Sequence, residues 1–428
     1  MFKLIDRLNS INLPHYKNSA EKNTINIPIP PKVIIPMVQH IGTPCTPCVK
    51  KGDEVKVGQL LGDSEAFVSS PVHSSVSGVV SGIEKILLAN GNQVEAIVID
   101  TDGKQNLLEL SAPTINNKDD FVKAIRKSGI IGLGGAGFPT SVKITYDKEK
   151  TPVDTLIVNG AECEPFITSD YREFLENGKS VVEGLKLFLK YLDIEKGIIA
   201  IESNKPKAIE YMKRLTKDIP NINVSALKTN FPQGAEKVII HSVTKRRVKA
   251  GQLPVTTGCL VINASTISFV YDYINTGMPL INRRLTVDGN AVKNPVNILV
   301  PIGTSLEYIL ENIDLIDTPD KIVLGGPMMG ITALNTTNII TKTSNAILLF
   351  KQEKEIKPTA CIKCGACVDA CSMNLLPTEL EHAYDRRDIE ELKSLRVDLC
   401  MNCGACSFVC PANRRLAQKH QLAKALIK

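Results

Sequence analysis

Two runs of cysteine constrain the end of this chain more than any other feature. Residues 361–371 read C-I-K-C-G-A-C-V-D-A-C, and residues 400–411 read C-M-N-C-G-A-C-S-F-V-C-P. Each run is C-x2-C-x2-C-x3-C, a spacing that holds iron–sulfur cubanes. Each iron of a cubane needs one thiolate. Three closely spaced cysteines on a tight loop can wrap three corners, and in paired motifs the fourth thiolate comes from the other half. The spacing therefore assigns Cys361, Cys364, Cys367 and Cys410 to cluster one, and Cys400, Cys403, Cys406 and Cys371 to cluster two. Both are expected to be [4Fe–4S] clusters. Gly365 and Gly404 lie between ligands, where the missing side chain lets the backbone turn and aim N–H groups at sulfur. The competing reading is a pair of zinc sites or disulfides. Zinc sites usually show two cysteine pairs set well apart, not four cysteines within eleven residues, twice. Ser372 follows the first motif where Pro411 follows the second, which bears on local rigidity rather than ligation.

The remaining length bounds the architecture. A chain of 428 residues with 43% hydrophobic and 22% charged residues predicts about three packed domains. No apolar run is long enough to span a bilayer. Asp6 and Arg7 interrupt any secretory core at the start. Eight of twelve cysteines lie in the cluster motifs, which need reduced thiols, so the expected compartment is cytoplasmic. The net charge of +6 is modest. Basic residues gather at 245–249 and at the end (Arg414, Arg415, Lys419, Lys424, Lys428). No aromatics are interleaved with them and there is no Trp, which argues against nucleic acid as a partner. They read as a solvated face, or more sharply as a dock for an acidic redox partner.

In chain order, residues 1–32 read as an extended arm, proline-rich towards its end. Residues 33–110 alternate short β-branched runs with Gly-Asp and Gly-Gln turns, which predicts a small β-sandwich. Within it lies Cys45-Thr46-Pro47-Cys48. A C-x-x-C on a loop is a candidate redox dithiol, and Lys50 and Lys51 would favour thiolate. Two unreactive loop cysteines are the alternative. His40 and His73 read as structural. From Lys118 the pattern becomes α/β. A helix is followed by the glycine-rich loop I-I-G-L-G-G-A-G-F-P-T (130–140), a weak signal taken alone. The apolar run from Thr155 then ends in N-G-A-E-C-E-P-F, the polar strand end where α/β sheets bind ligands. Residues 256–350 mix short strands and helices and end in K-I-V-L-G-G-P-M-M-G (321–330).

With those motifs placed, the chain resembles the C subunits of Rnf electron-transport complexes over about nine-tenths of its length. Its middle resembles the NADH- and FMN-binding subunit of respiratory complex I. The carrying motifs are G-L-G-G-A-G-F-P-T, N-G-A-E-C-E-P, P-Q-G-A-E-K and G-G-P-M-M-G. The K-G-D-x-V-x-x-G-Q-x-L pattern near the start is similar to biotinyl/lipoyl hammerheads, without a lysine at the hairpin tip to carry a swinging arm. The implied fold is multidomain α/β. It comprises an N-terminal β-sandwich hybrid (residues 1–112) and a Rossmann-like complex I FMN-subunit-type domain (113–255). A small β-grasp module (256–350) and a C-terminal helical two-cluster ferredoxin domain (351–428) follow.

The resemblance also implies roles. Gly132, Gly134, Gly135 and Gly137 would shape a flavin loop, and Lys143 would hold FMN charge. Asn159 and Glu162 would bind the flavin, while Phe138 and Glu164 would face the nicotinamide nucleotide. Gly234, Glu236 and Lys237 would line the far side, and Asn263 and Ala264 match a flavin-contacting strand end. Leu133 and Ala161 depart from complex I, which has arginine and aspartate there. The Cys45/Cys48 pair is similar to the redox loop of proline-reductase-associated members of the group, and the lack of a long Ala/Lys-rich tail is compatible with them. That resemblance implies electron transfer from NADH through FMN, two clusters and Cys45/Cys48 to D-proline reductase or another acceptor protein. The alternative is the C subunit of a membrane-associated Rnf-type complex, bound peripherally.

Overall fold

The computed structural model describes residues 8–351 and 356–427. Asp6, Arg7 and Lys428, named above, lie outside them. Four sheets and a helical end organise the chain.

The N-terminal module pairs two sheets. One runs Lys32–Pro36, Gln93–Thr101, Gly78–Leu87 and Glu54–Val55, and the other Thr46–Pro47, Leu60–Asp63 and Val72–His73. Alternate residues such as Val33 and Ile35, Ile97 and Ile99 face inward and close one apolar core with Met37, Leu61 and Val80.

The middle is a parallel sheet in the order Ile222–Leu227, Lys196–Glu202, Thr155–Gly160, Cys259–Asn263. Thr155–Gly160 reads as one apolar run because both of its faces are covered. Leu156 and Val158 pack with Phe174 and Leu185 of the helix Ser169–Leu192, while Ile157 packs with Ile239 and Ile240 of the helix Glu236–Thr244. Cys259–Asn263 pairs with Thr155–Gly160, and the helix Ala264–Thr276 packs beside it. The division expected at residue 255 thus falls ahead of a strand and helix that complete this sheet.

The third module is a six-stranded mixed sheet: Thr24–Asn26, Val296–Pro301, Asn282–Asp288, Ala346–Phe350, Lys321–Leu324, Ile331–Thr332. Its first strand comes from the arm. Thr24 and Asn26 pair in parallel with Asn297 and Leu299, and Ile11 exchanges backbone hydrogen bonds with Phe231. The segment expected to be an extended arm is a strap across the other modules. Polar sequence hid this, because its partners are backbone groups far along the chain.

In the last module the helices Pro377–Asp385 and Leu416–Leu426 pack around Leu380, Leu392 and Val397. The two cysteine motifs share one backbone. Gly365 and Gly404 have φ of 78° and 81°, and Lys363 and Asn402 have φ of 57° and 54°. Glycine takes this left-handed geometry at little cost, and each opens a one-turn helix, Ala366–Asp369 or Ala405–Phe408.

Candidate functional site

The strand end after Thr155–Gly160 opens into a cavity of about 730 Å³, within the size range of cofactor sites. Its floor is the middle sheet, through Asn159, Glu162, Asp170, Gly234 and Asn263. Gly134, Gly135 and Gly137 of the glycine-rich loop form one wall, and His40 and Ile41 of the N-terminal sandwich another. The turn Gly325–Gly330 and the segment 338–345 close the third side, and Met401 and Cys403 bring in the cluster module. No single module could make this cavity.

Local bonding explains why these residues stand where they do. Asn263 caps the helix Ala264–Thr276 by accepting from the Thr266 N–H, and its amide donates to Asp170 Oδ2 at 2.7 Å. Ser265 Oγ donates to the other Asp170 oxygen at 2.7 Å. Asn159 Nδ2 donates to the Gly234 carbonyl at 2.9 Å, which joins the strand end to the turn before Glu236–Thr244. The glycine-rich loop is held from behind, where Leu133 N–H donates to Thr266 Oγ1 and buried Arg283 donates to the Leu133 carbonyl, both at 3.0 Å. Gly137 has φ of +67°, and a Cβ there would sit 2.7 Å from Thr343 Cγ2. Gly135 has φ of +104°, and nothing lies within 4 Å of the Cβ position. The loop therefore gives a ligand an open path to backbone.

Charge is concentrated under Glu162. Burial raises its carboxyl to about 7, opposed by nearby Lys17 and Lys205. Lys17 comes from the strap and is itself lowered to about 8, chiefly by burial. Its ammonium donates to the carbonyls of Glu162, Glu164 and Ile167 at 2.9, 2.8 and 2.5 Å. Glu164 is also raised to about 7 by burial. Both its oxygens are used. Oε2 accepts from Met328 N–H at 3.0 Å and Oε1 from Met329 N–H at 2.9 Å.

The site residues expected from sequence separate into two sets. Gly134, Gly135, Gly137, Asn159, Glu162, Glu164, Gly234, Glu236 and Asn263 line the cavity. Gly132, Phe138, Lys143, Lys237 and Ala264 are not among its lining residues. Lys143 makes an ion pair with Glu236. Ala264 is fully buried in the core behind the sheet, because it is the first residue of a helix whose apolar face packs inward. Glu164 grips the Gly325–Gly330 turn where a nucleotide contact was expected. Sequence reading missed Lys17, Asp170 and His40 as parts of the site. Asp170 carried one signal, an acid in the first turn of a long helix that begins just after the N-G-A-E-C-E-P run.

The cysteines gather as the spacing predicts. Cys371, Cys400, Cys403 and Cys406 line one cavity, and the thiols of Cys400, Cys403 and Cys406 are raised, first by burial and then by their cysteine neighbours. Cys361 and Cys410 act on Cys367 in the same way. Crossing of the fourth cysteine between motifs is thus built into the fold. The second thiol set surrounds a space, which fits a cluster with one thiolate per iron. Cys403 lines both the cluster-two cavity and the large cavity.

Cys45 and Cys48 do not form the expected surface dithiol. They flank the short strand Thr46–Pro47, and an odd spacing along extended chain puts side chains on opposite faces. Cys45 lies in the sandwich core, 5% exposed, with its thiol donating to the Ser70 carbonyl at 3.2 Å. Cys48 is exposed. Burial pushes the Cys45 thiol up, away from the thiolate that Lys50 and Lys51 were expected to favour. Iodoacetamide labelling of the folded protein is expected to modify Cys48 and to reach Cys45 only on unfolding. Equal labelling rates would restore an accessible pair.

A flavin-type α/β sheet joined to a two-cluster ferredoxin-type module defines the class: an iron–sulfur flavoprotein. Comparison with known proteins agrees. The RnfC barrel-sandwich hybrid domain family matches residues 8–104, the Nuo51 FMN-binding domain family residues 125–272, and the 4Fe-4S dicluster domain family residues 360–414. The cofactors are therefore FMN and [4Fe–4S] clusters. The C subunit of the proton-translocating ferredoxin:NAD(+) oxidoreductase complex of Clostridium ljungdahlii is 44% identical over 371 residues, covering 85% of this chain and 81% of its own. The C subunit of the Na(+)-translocating complex of Acetobacterium woodii is 40% identical, over 86% of each chain. The chain belongs to this family, the C subunits of Rnf-type ion-translocating ferredoxin:NAD(+) oxidoreductase complexes. In fold it is similar to a chain of an NAD+-reducing [NiFe]-hydrogenase, with TM-score 0.52 at 16% identity, covering 73% of this chain and 63% of that one.

Proposed function

We propose that this chain is the peripheral electron-transfer subunit of an Rnf-type complex, moving electrons between NAD(H) and a partner redox protein. The observation that carries the reading is Cys403, which stands on the wall of the flavin-type cavity and also lines the cavity of the second cysteine set. FMN bound in the large cavity would exchange electron pairs with the nucleotide and single electrons with the clusters. In this reading Asn159, Asp170, Asn263 and the loop Gly134–Gly137 hold it, and Glu162 lies beneath it. Cluster two is the inner station. Cluster one is the outer one, since Cys364 is exposed and Ile362 beside it is 66% exposed. Among the described residues no helix is long and apolar enough to cross a membrane. The relatives' names supply the rest of the proposal, in which this subunit works beside ion-translocating partners. Delivery to D-proline reductase through Cys45 and Cys48 draws no support from the site, because burial keeps Cys45 protonated and enclosed.

Anaerobic purification with assay of FMN, iron and sulfide, followed by NADH, tests the reading. Flavin and cluster absorbance are both expected to bleach. Clusters that stay oxidised beside a reduced flavin would break the proposed route. Loss of the protein from washed membranes that keep the rest of such a complex would remove the peripheral-subunit part.

A further inference from the structure

Glu162 also lines a second, smaller cavity. This cavity has a volume of about 10 Å³, close to the space one water needs. Leu13, His15, Glu202 and Asn230 line it, and Glu162, Cys163 and Phe231 line both cavities. His15 is exposed, so the small cavity lies between Glu162 and the protein surface.

Three of the residues that line it each carry a buried oxygen with no partner among the described residues: Glu162 Oε2, Glu202 Oε1 and Asn230 Oδ1. Glu162 and Glu202 are 6% and 1% exposed. The companion atoms are all engaged. Glu162 Oε1 accepts from the Asp170 N–H at 2.7 Å, Glu202 Oε2 from Lys205 at 2.9 Å, and Asn230 Nδ2 donates to Ser10 Oγ at 2.8 Å. A buried acceptor left without a donor costs about 1–3 kcal/mol. Three of them beside a water-sized space call for a water, which donates to Glu202 and Asn230 and accepts from Glu162 when that carboxyl carries its proton. A metal cation is the wrong donor, because the ammonium groups of Lys17 and Lys205 already face these carboxylates.

We propose that the small cavity holds an ordered water that joins Glu162 to Glu202 and Asn230 and carries protons between solvent at His15 and the large cavity. The inference rests on the flavin reading given above. Hydride delivery from NADH supplies two electrons and one proton, and full reduction needs one proton more. The Glu162 carboxyl gives a proton to the acceptor in the large cavity, breaking one O–H bond, and forms another with a proton from the water. The water is reprotonated from the His15 side. Only protons move, and Glu162 ends in the state in which it began. Lys17, Lys205 and Asp170 act on it, and His15, Glu202 and Cys163 are the titratable groups that line the small cavity with it. A carboxyl near neutral pKa is suited to give and take protons at physiological pH.

Two measurements test this on the full chain. A crystal structure with resolved solvent is expected to show one water within hydrogen-bond reach of Glu162 Oε2, Glu202 Oε1 and Asn230 Oδ1. A dry cavity would overturn the inference whatever the activity. In the second, bound flavin is photoreduced in weak buffer with a pH indicator dye. Asn230→Leu, which fills the space with carbon, is expected to slow proton uptake at least tenfold at unchanged flavin content. Asn230→Asp, which keeps an acceptor, is expected to retain the wild-type rate and serves if the leucine variant does not fold. Equal rates in the wild type and Asn230→Leu, or a tenfold loss in Asn230→Asp as well, would sink the water route alone. A wild-type chain that takes up no flavin would sink the function reading with it.

Discussion

Cys403→Ala is expected to remove half of the iron and to uncouple what remains from the flavin. FMN content should be unchanged, because Cys403 is one of many residues that line the large cavity. NADH should still bleach the flavin. Reduction of the surviving cluster by NADH should fall at least tenfold, which is about 1.4 kcal/mol of barrier. The reason is position. Cys403 packs in one apolar cluster with Cys163, Phe231, Met328 and Ala405, so the loop of cluster two is the part of the cluster module seated against the cavity. Cys364→Ala is the informative control. It should also remove half of the iron but leave cluster two reducible by NADH, since Cys364 lies at the exposed end. Rapid-mixing absorbance on the two variants separates the cases. Equal NADH reduction of the surviving cluster in both would mean that cluster two is not the inner station.

Glu164→Ala is expected to be the most damaging change that touches no cofactor ligand. It leaves the N–H groups of Met328 and Met329 without their shared acceptor. Hydrogen bonds to a charged group contribute about 1.5–3 kcal/mol each, so the loss should be about 3 kcal/mol. The effect should reach electron transfer too, because the same turn supports cluster two. A Cβ built on Gly404 would lie 2.9 Å from the Met328 carbonyl oxygen, so that loop and the turn are in close contact. Gly326→Ala should reproduce the phenotype, since a Cβ there would lie 2.3 Å from Glu164 Cδ. Urea midpoints and the NADH-driven rate of cluster reduction check both variants. If Glu164→Ala instead raises the KM for NADH and leaves the midpoint alone, Glu164 is a nucleotide ligand, as the resemblance implied.

Much of this was legible in the residues. That Cys371 gathers with Cys400, Cys403 and Cys406 follows from cysteine spacing, because a cubane fixes where thiolates must stand. The same spacing repeats in both motifs, and so does the backbone, down to left-handed Lys363 and Asn402. The strand 155–160 and its polar end were readable because a sheet strand covered on both faces must be apolar throughout. Asn159, Glu162 and Asn263 followed from motifs at that end. Gly132, Phe138, Lys143, Lys237 and Ala264, in or next to the same motifs, do not line the cavity. A motif says which residues travel together. It does not say which of them turns its side chain to the cavity and which to the core.

The Cys45/Cys48 pair shows a different limit. Spacing permits a dithiol, but spacing does not include burial, and burial decides thiol chemistry. Here the strand between the two cysteines puts one into the sandwich core.

The sequence by itself determined the covalent and local parts of this protein: the two paired cysteine motifs of the cluster module, the glycine turns, and strands and helices with their apolar faces. These depend on neighbours a few residues away. Only the tertiary structure decided that one cavity is shared by all four modules, that Lys17 of the strap lies under Glu162, and that Glu164 holds the turn against the cluster loop. Lys17 and Glu162 stand far apart in sequence and meet at 2.9 Å through the Glu162 carbonyl. Their meeting depends on how whole modules pack, and short-range pattern carries no record of that. The electrostatics of the site follow from the same packing, because water is excluded only once the modules have closed around it.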